Sequence, residues 1–209
     1  MLAHRLVREP LLVAIVLAAL VGDARSSRAG DPLPVHVIEF GTGAFTPLDT
    51  DLAGDYGAAP SFTLGYAPLL TTRGTRLILD IGAVRSRGKI TRNDPTFDAE
   101  EATYWLLPVR LGVRTDLTPD PHPGPVRFSV GAAFEWITTW WRAPFQDWSS
   151  APAPGIVFEA RPDFHVSQKL GVWTRARFAF RSDVQYDEPR STFEYSGSEF
   201  QVGLSYAPR

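Results

Sequence analysis

Apolar and polar residues alternate with a period of two along much of this chain. The pattern is clearest over residues 126–140, where one face carries Val126, Phe128, Val130, Ala132, Phe134, Trp136 and Trp140. The opposite face carries Arg127, Ser129, Gly131, Ala133 and Glu135. Successive side chains of a β-strand point to opposite faces of the sheet, so the pattern predicts a long strand with one apolar face.

Three other segments repeat this pattern. Residues 170–183 place apolar side chains opposite Gly171, Arg175, Arg177, Arg181 and Asp183. Residues 104–114 place Trp105, Leu107, Val109, Leu111 and Val113 opposite Tyr104, Leu106, Pro108, Arg110, Gly112 and Arg114. Residues 156–165 place Ile156, Phe158, Ala160, Pro162 and Phe164 opposite Glu159, Arg161, Asp163 and His165. Each segment predicts a two-faced strand.

Four weaker segments complete the pattern, at residues 35–45, 60–66, 75–85 and 193–206. In the third of them Asp80 lies on the polar face, and in the fourth Glu199 and Gln201 do. No segment has the period of a helix. The sequence therefore predicts an all-β chain of eight antiparallel strands in up-and-down order.

The predicted connections alternate in length. Those at residues 47–59, 89–101, 143–154 and 184–192 are long, and those at 71–74, 117–124 and 166–169 are shorter. Transmembrane β-barrels have short periplasmic turns and longer outer loops. The alternation thus predicts four long outer loops and three shorter periplasmic turns.

Alternation alone fits two kinds of barrel. A soluble barrel puts its apolar face inside, whereas a transmembrane barrel puts that face against lipid and fills its lumen with polar groups. Eight strands of about 10 residues, the length that a tilted spanning strand needs, favour the transmembrane barrel. Aromatic residues near the strand ends predict two girdles, an outer one of Tyr104, Trp105, Trp136, Trp140 and Trp141 and an inner one of Tyr66, Phe128, Phe164 and Tyr206. A soluble periplasmic lipocalin-like barrel that binds a hydrophobic ligand is the alternative.

The N-terminus has the pattern of an export signal. His4, Arg5 and Arg8 precede an apolar run at residues 11–20, and small residues then allow cleavage after Ala24 or Ala29. The run is shorter than the roughly 20 residues that a membrane-spanning helix needs. We therefore expect a cleaved signal peptide at residues 1–29, one barrel domain at residues 30–209 and localisation in the outer membrane.

Composition excludes several other classes. The 209 residues contain no Cys, which rules out disulfides, thiolate metal sites and a cysteine nucleophile. A formal net charge of −2 provides no basic surplus for binding nucleic acid. Aromatic residues make up 12% of the chain, in keeping with strands rather than with disorder.

The polar faces carry many charges, which we expect to point into the lumen. They are Glu39, Asp80, Arg110, Arg114, Arg127, Glu135, Glu159, Arg161, Asp163, Arg175, Arg177, Arg181 and Glu199. An eight-stranded barrel has an interior just wide enough for side chains, so these residues predict a network of ion pairs that fills the lumen. A path for ions or small solutes through the network is the alternative.

Two further groups of residues have the types that catalysis or metal binding requires. His165 and Ser167 form an H-x-S pair that resembles the lipid A deacylases, which are also eight-stranded barrels, and Asp163 lies nearby to orient the histidine. The pair is expected to face inward at the periplasmic end, away from the acyl chains of lipid A, so no catalytic residue is predicted.

The acidic residues Asp49, Asp51, Asp55, Asp94, Asp98, Glu100 and Glu101 lack the ligand spacing of an EF-hand. We interpret them as solvated loop charge, with weak bridging of Ca²⁺ or lipopolysaccharide as the alternative, and predict no metal and no cofactor.

Three stretches resemble the small eight-stranded outer-membrane β-barrels of Gram-negative bacteria, which include the opacity-protein, OmpA-like and OmpX-like barrels. They are FTPLDTDLAGDYGAAPSFTLGY at residues 45–66, TYWLLPVRLGVR at 103–114 and EFQVGLSY at 199–206. The resemblance implies a porin-like integral membrane barrel, not an enzyme, with a structural or surface-recognition role. It also implies outer-membrane lipid, lipopolysaccharide and an extracellular loop partner as contacts. Gly203, Leu204 and Tyr206 match the last-strand signal for the barrel-assembly machinery, although Ala207, Pro208 and Arg209 follow where many relatives end.

Overall fold

The structure of the chain is a computed structural model, which describes residues 33–49, 53–54, 56–72, 74–90, 100–117, 126–142, 149–167, 169–186 and 191–208. Outside the described residues lie the predicted signal peptide, Asp51, Asp55, Asp94, Asp98 and the side chain of Glu100. Cleavage after Ala24 or Ala29 and the bounds of the domain therefore stay predictions. No helix in the described ranges is long and apolar enough to cross a membrane.

Eight antiparallel strands form a closed barrel, which confirms the predicted fold class. They are β1 (Ile38–Pro47), β2 (Ala59–Tyr66), β3 (Arg76–Ile90), β4 (Glu100–Asp116), β5 (Val126–Arg142), β6 (Ser149–His165), β7 (Leu170–Arg181) and β10 (Gly197–Tyr206). A separate hairpin of β8 (Val184–Tyr186) and β9 (Ser191–Phe193) lies between β7 and β10 in the chain.

Pairing of the first and last strands closes the sheet. Ile38 at the start of β1 lies opposite both Tyr206 of β10 and Tyr66 of β2. Closure removes the sheet edges whose unpaired N–H and C=O groups could not be satisfied in lipid. We call the end of the barrel that holds the β3–β4 and β5–β6 connections the upper end, and the opposite end, where β1 begins and β10 ends, the lower end.

Several strand boundaries differ from the prediction. Residues 149–154 were expected in a loop, but β6 begins at Ser149 and includes Pro152 and Pro154. Pairing of β6 with β7 ends where Gly155 lies opposite Arg181, beyond which the Pro154 carbonyl accepts from Ser182 N at 3.1 Å and residues 149–153 form a ladder with β5 alone. Proline is tolerated at such an edge because no ladder hydrogen bond is lost on the free side.

The last predicted strand also begins later than expected. Residue 193 belongs to the β8–β9 hairpin, and β10 starts at Gly197. Asp183, predicted on the inward face of the preceding strand, is exposed beyond the end of β7. Ser182 and Asp183 belong to no strand and interrupt the alternation between β7 and β8, which the pattern of side chains alone did not indicate.

The barrel is polar inside and apolar outside. Phe134 is 52% exposed, whereas Glu135, the next residue, is 0% exposed. The same relation holds on the other strands, where the exposed large side chains include Phe62, Leu64, Ile81, Val109, Leu111, Phe128, Ile156, Phe158, Phe178, Phe180, Phe200 and Leu204. This polarity is opposite to that of a soluble barrel.

An apolar cluster fills the upper part of the lumen. Its large members are Phe45, Tyr56, Val84, Tyr104, Leu106, Ile137, Trp141, Val184 and Tyr195. Tyr56 comes from the β1–β2 connection and Val184 from β8, so segments outside the barrel strands help to cover this end.

The assignment of Tyr104 and Trp141 to the outer girdle was wrong, because both side chains are buried in the lumen. Each lies an even number of residues from an inward charge, Tyr104 from Arg110 and Trp141 from Glu135, and therefore points to the same side of its strand.

Candidate functional site

The predicted inward charges come together in the middle and lower parts of the lumen. Six arginines and five carboxylates of the predicted set are buried there: Arg110, Arg114, Arg161, Arg175, Arg177, Arg181, Glu39, Asp80, Glu135, Glu159 and Glu199. Each lies at a position of its strand that alternates with exposed apolar side chains. The predicted network is therefore present.

Arg110 of β4 lies at the centre of this network. Its guanidinium donates from Nε to Glu135 Oε2 at 2.6 Å and from Nη1 to Asp80 Oδ1 at 3.1 Å. These carboxylates lie directly opposite Arg110 on the two neighbouring strands. Nη2 reaches Glu199 Oε2 of β10 at 3.5 Å, across the lumen. One side chain thereby connects four strands.

The arginines of β7 extend the network upward and across. Arg177 donates from Nε to Glu159 Oε2 at 2.9 Å and from Nη2 to Asp80. Arg181 donates from Nε to the second oxygen of Glu135 at 2.6 Å. Both carboxylate oxygens of Glu135 are therefore used, since Arg110 binds the other one. Hydrogen bonds to charged groups of this kind are the strong ones in proteins.

A second group of ion pairs lies closer to the lower end. Arg114 Nη2 is 2.5 Å from Glu39 Oε1, and its Nη1 is 3.3 Å from Glu159 Oε1. Arg161 Nη1 is 2.7 Å from Glu39 Oε2, and its Nη2 is 2.5 Å from Asp163 Oδ1. Glu39 of β1 thus holds two arginines across the lumen, one from β4 and one from β6, the strands on either side of β5.

Arg127, which was predicted to belong to this network, lies apart from the other arginines. It lies at the lower rim, where its Nη1 is 4.0 Å from Asp116 Oδ2 and both side chains are partly exposed. Arg127 is the second residue of β5, at its lower end, so its side chain lies at the mouth of the barrel and does not reach the central carboxylates. The expectation that Arg127 belongs to the central network was therefore wrong.

Trp173 packs inside the network, in which Glu159 joins the two groups of ion pairs, and its role was not recognised from the sequence. Its indole is fully buried and lies between the guanidinium groups of Arg161 and Arg175, each 4.6 Å from the ring centroid. Gly41 and Gly203 make room for the ring, since a Cβ at either position would overlap it. Trp173 has the same strand parity as Arg175, which is the signal that could have placed it in the lumen.

Space remains at the lower end of the lumen. A cavity of about 50 Å³ lies there, and its lining includes His165 and Ser167. Ser167 Oγ accepts hydrogen bonds from the backbone N–H groups of Lys169 at 3.3 Å and Leu170 at 3.0 Å. The serine thus stabilises the β6–β7 turn, and within the described part of the chain no hydrogen bond joins it to His165.

No group of three or more potential metal ligands is present among the residues that the structure describes. Of the acidic residues considered above, Asp49 and Glu101 lie within the described ranges, Asp49 just after β1 and Glu101 on β4 with an exposed side chain. The absence of a metal or cofactor site stays a prediction for the chain as a whole.

The outer surface at the upper end carries arginine and tryptophan side chains. Arg85, Trp105 and Trp140 lie side by side on β3, β4 and β5, and the Arg85 guanidinium is 5.0 Å from the Trp105 ring centroid. Two residues further up, Arg87 and Arg142 lie on either side of Thr103. We call these five side chains, Arg85, Arg87, Trp105, Trp140 and Arg142, the upper rim patch.

Comparison with solved structures identifies the fold. The chain is similar to OprG, an outer membrane protein of Pseudomonas aeruginosa, with a TM-score of 0.62 and 10% identity over 86% of this chain and 98% of that one. It is similar to Neisserial surface protein A, with a TM-score of 0.58 and 11% identity over 83% and 96% of the two chains. A major outer membrane protein of Thermus thermophilus has a TM-score of 0.52 and 12% identity over 82% and 98%.

Sequence comparison adds no closer assignment. No protein-family model matches the sequence, and no curated protein matches it. The similarity therefore rests on the closed barrel of eight strands, which matches nearly the full length of each of these structures. The chain has the fold of the small eight-stranded outer-membrane β-barrels.

Proposed function

We propose that the protein is an integral barrel of the outer membrane with a structural or surface-recognition role and no transport path through its lumen. The observation that carries the proposal is the reversed polarity of the wall, with Phe134 half exposed on the outside and Glu135 buried inside. An apolar exterior of this extent is stable in lipid and unfavourable in water.

The interior argues against the lipocalin-like alternative. A soluble barrel that binds a hydrophobic ligand needs an apolar lumen, and this lumen holds ion pairs at its centre, such as Arg110 with Asp80 and Glu135. Above them the cluster around Tyr104 and Trp141 fills the space that a ligand would need. Both features support a packed interior with no ligand cavity at the upper end of the described barrel.

The upper rim patch supports an orientation in the membrane. It lies directly above the apolar band, because Leu107 on β4 is exposed two residues below Trp105. Tryptophan prefers the boundary between acyl chains and headgroups, and arginine binds phosphate. We infer that the upper end faces outward and that Arg85, Arg87 and Arg142 contact the anionic headgroups of lipopolysaccharide.

The remaining partners belong to the same proposal. In this orientation the upper strand ends and the β8–β9 hairpin lie on the outer side, where we propose that the protein meets an extracellular partner. Gly203, Leu204 and Tyr206 in β10 provide the last-strand pattern for the barrel-assembly machinery. We propose no catalysis, because Ser167 Oγ is engaged in a turn and the cavity beside it opens at the end opposite to the upper rim patch.

Cell fractionation combined with electrophoresis tests this proposal. The expected result is that the protein sediments with the outer membrane and that unboiled and boiled samples migrate differently in SDS, since a closed barrel resists the detergent until heated. Recovery of the chain in the soluble periplasmic fraction, with one mobility before and after boiling, would overturn the proposal.

A further inference from the structure

The two ends of the lumen differ in their chemistry. The upper part is filled by the apolar cluster, whereas the cavity of about 50 Å³ at the lower end is lined by charged side chains. Five of these are cations, Arg76, Arg114, Arg127, Arg161 and Lys169. Three are carboxylates, Glu39, Asp116 and Asp163. With His165 neutral, five minus three leaves two positive charges in excess around the cavity.

Arg76 contributes most directly to this excess. It is buried, and its guanidinium donates from Nη1 to the carbonyl oxygen of Ala67 at 3.1 Å and from Nη2 to that of Pro34 at 2.9 Å. These carbonyls fix the guanidinium in place but carry no net charge. No carboxylate oxygen of the described residues lies within 4.0 Å of it. Its positive charge is therefore fixed at the cavity wall without an ion-pair partner among those residues.

Arg127 is the second cation that is weakly balanced. Its contact with Asp116 spans 4.0 Å, which is too long for a hydrogen bond. By contrast, Arg114 and Arg161 hold Glu39 at 2.5 Å and 2.7 Å. Lys169, on the β6–β7 turn, is exposed at the mouth. The charges on the inner wall of the cavity are thus neutralised by ion pairs. Nearer the mouth, Arg127 and Lys169 have N–H groups that can donate to a ligand.

We propose that this cavity binds a phosphate-type oxyanion, either inorganic phosphate or a small phosphomonoester. Guanidinium groups match the geometry of phosphate oxygens, and a buried positive charge without a counter-ion favours an anion beside it. A water-sized site needs about 10 to 15 Å³, so a cavity of about 50 Å³ accommodates a tetrahedral oxyanion but not a nucleotide or a sugar ring. The site goes beyond the proposed function, because binding does not depend on where the barrel resides.

Titration calorimetry of the purified, folded full chain in detergent micelles tests the proposal. Inorganic phosphate and glycerol 3-phosphate are titrated separately, at constant ionic strength with chloride as the background anion, and binding of either supports the site and identifies the source of the phosphate group. We expect Arg127→Gln to weaken binding about tenfold, the loss of roughly one charge-assisted hydrogen bond. We expect Asp116→Asn to strengthen binding, because it removes a like charge and releases Arg127.

Asp183→Asn is the matched control for Asp116→Asn, because it removes the same charge from an exposed carboxylate at the upper end of the barrel, outside the cavity. The proposal requires that its affinity for phosphate equal that of the unaltered protein. Equal strengthening by Asp183→Asn and Asp116→Asn would overturn it, since only diffuse electrostatic attraction would then remain. Absence of binding to a sample whose heat-dependent mobility shows a folded barrel would overturn it as well, while leaving the membrane function intact.

Discussion

Arg110 and Glu135 face each other across β4 and β5 inside the barrel, with Nε 2.6 Å from Oε2, and Glu135 is fully buried. The other oxygen of Glu135 accepts from Arg181. One carboxylate thereby contacts two buried guanidinium groups, of which Arg110 also contacts Asp80. The charge of Glu135 is consequently more important to the barrel than that of an exposed acid.

We expect Glu135→Ala to destabilise the barrel by about 3 to 5 kcal/mol, because it leaves Arg110 and Arg181 buried with reduced compensation. Urea unfolding in lipid vesicles, followed by tryptophan fluorescence, measures the free energy. Glu101→Ala is the control, since Glu101 is exposed on the same sheet, and it should change the free energy by less than about 1 kcal/mol. Equal effects of the two substitutions would contradict the buried network.

Phe134→Arg tests the lipid-facing wall. Phe134 is 52% exposed near the middle of β5, so an arginine there should cost about 2 to 4 kcal/mol of unfolding free energy in bilayers. Val126 lies on the same face of the same strand, at its lower end. Val126→Arg should lower the free energy of unfolding by only about 0 to 1 kcal/mol, because the penalty for a charge that faces lipid decreases towards the interface. A cost that does not depend on depth would argue against a lipid environment.

The strand pattern carried most of the information about the wall. The inward and outward sets on β5 and β6 followed from parity alone, and pairs such as Asp80 with Arg110 lie directly opposite each other on adjacent strands. Contacts across the lumen were not predictable, because the contact of Glu39 with Arg161 depends on how the closed sheet brings distant strands together. The assignment of Tyr104 and Trp141 to a girdle followed from the local concentration of aromatic residues and not from strand parity. Both side chains lie in the lumen.

A closed lumen should carry no steady current. With the centre occupied by Arg110, Arg177 and their carboxylates, and the upper part by Tyr104 and its neighbours, we expect planar-bilayer recordings to show no large, stable conductance. Glu135→Ala should give at most brief, irregular openings, because it loosens the network without removing the apolar cluster. A stable conductance of porin size that does not respond to this substitution would show an open path.

His165 and Ser167 are expected to have a structural role. Ser167→Ala should lower the free energy of unfolding by about 1 kcal/mol, because it removes the hydroxyl oxygen that accepts from Leu170 N. Neither Ser167→Ala nor His165→Ala should alter the acylation of lipid A, which mass spectrometry of extracted lipid measures. Deacylation by the unaltered protein that either substitution abolishes would instead establish a catalytic pair.

The most direct test of the account uses the absence of cysteine in the chain, since single-cysteine variants can be spin-labelled without background. Phe134→Cys places a label on the outward face at mid-height, and Glu101→Cys places one on the exposed rim. In vesicles, electron paramagnetic resonance should show the Phe134→Cys label more accessible to oxygen, which concentrates in lipid, than to a water-soluble nickel chelate, with the reverse order at Glu101→Cys. Equal, high accessibility of both labels to the nickel chelate would show that the apolar face lies in water and would contradict a membrane-embedded barrel.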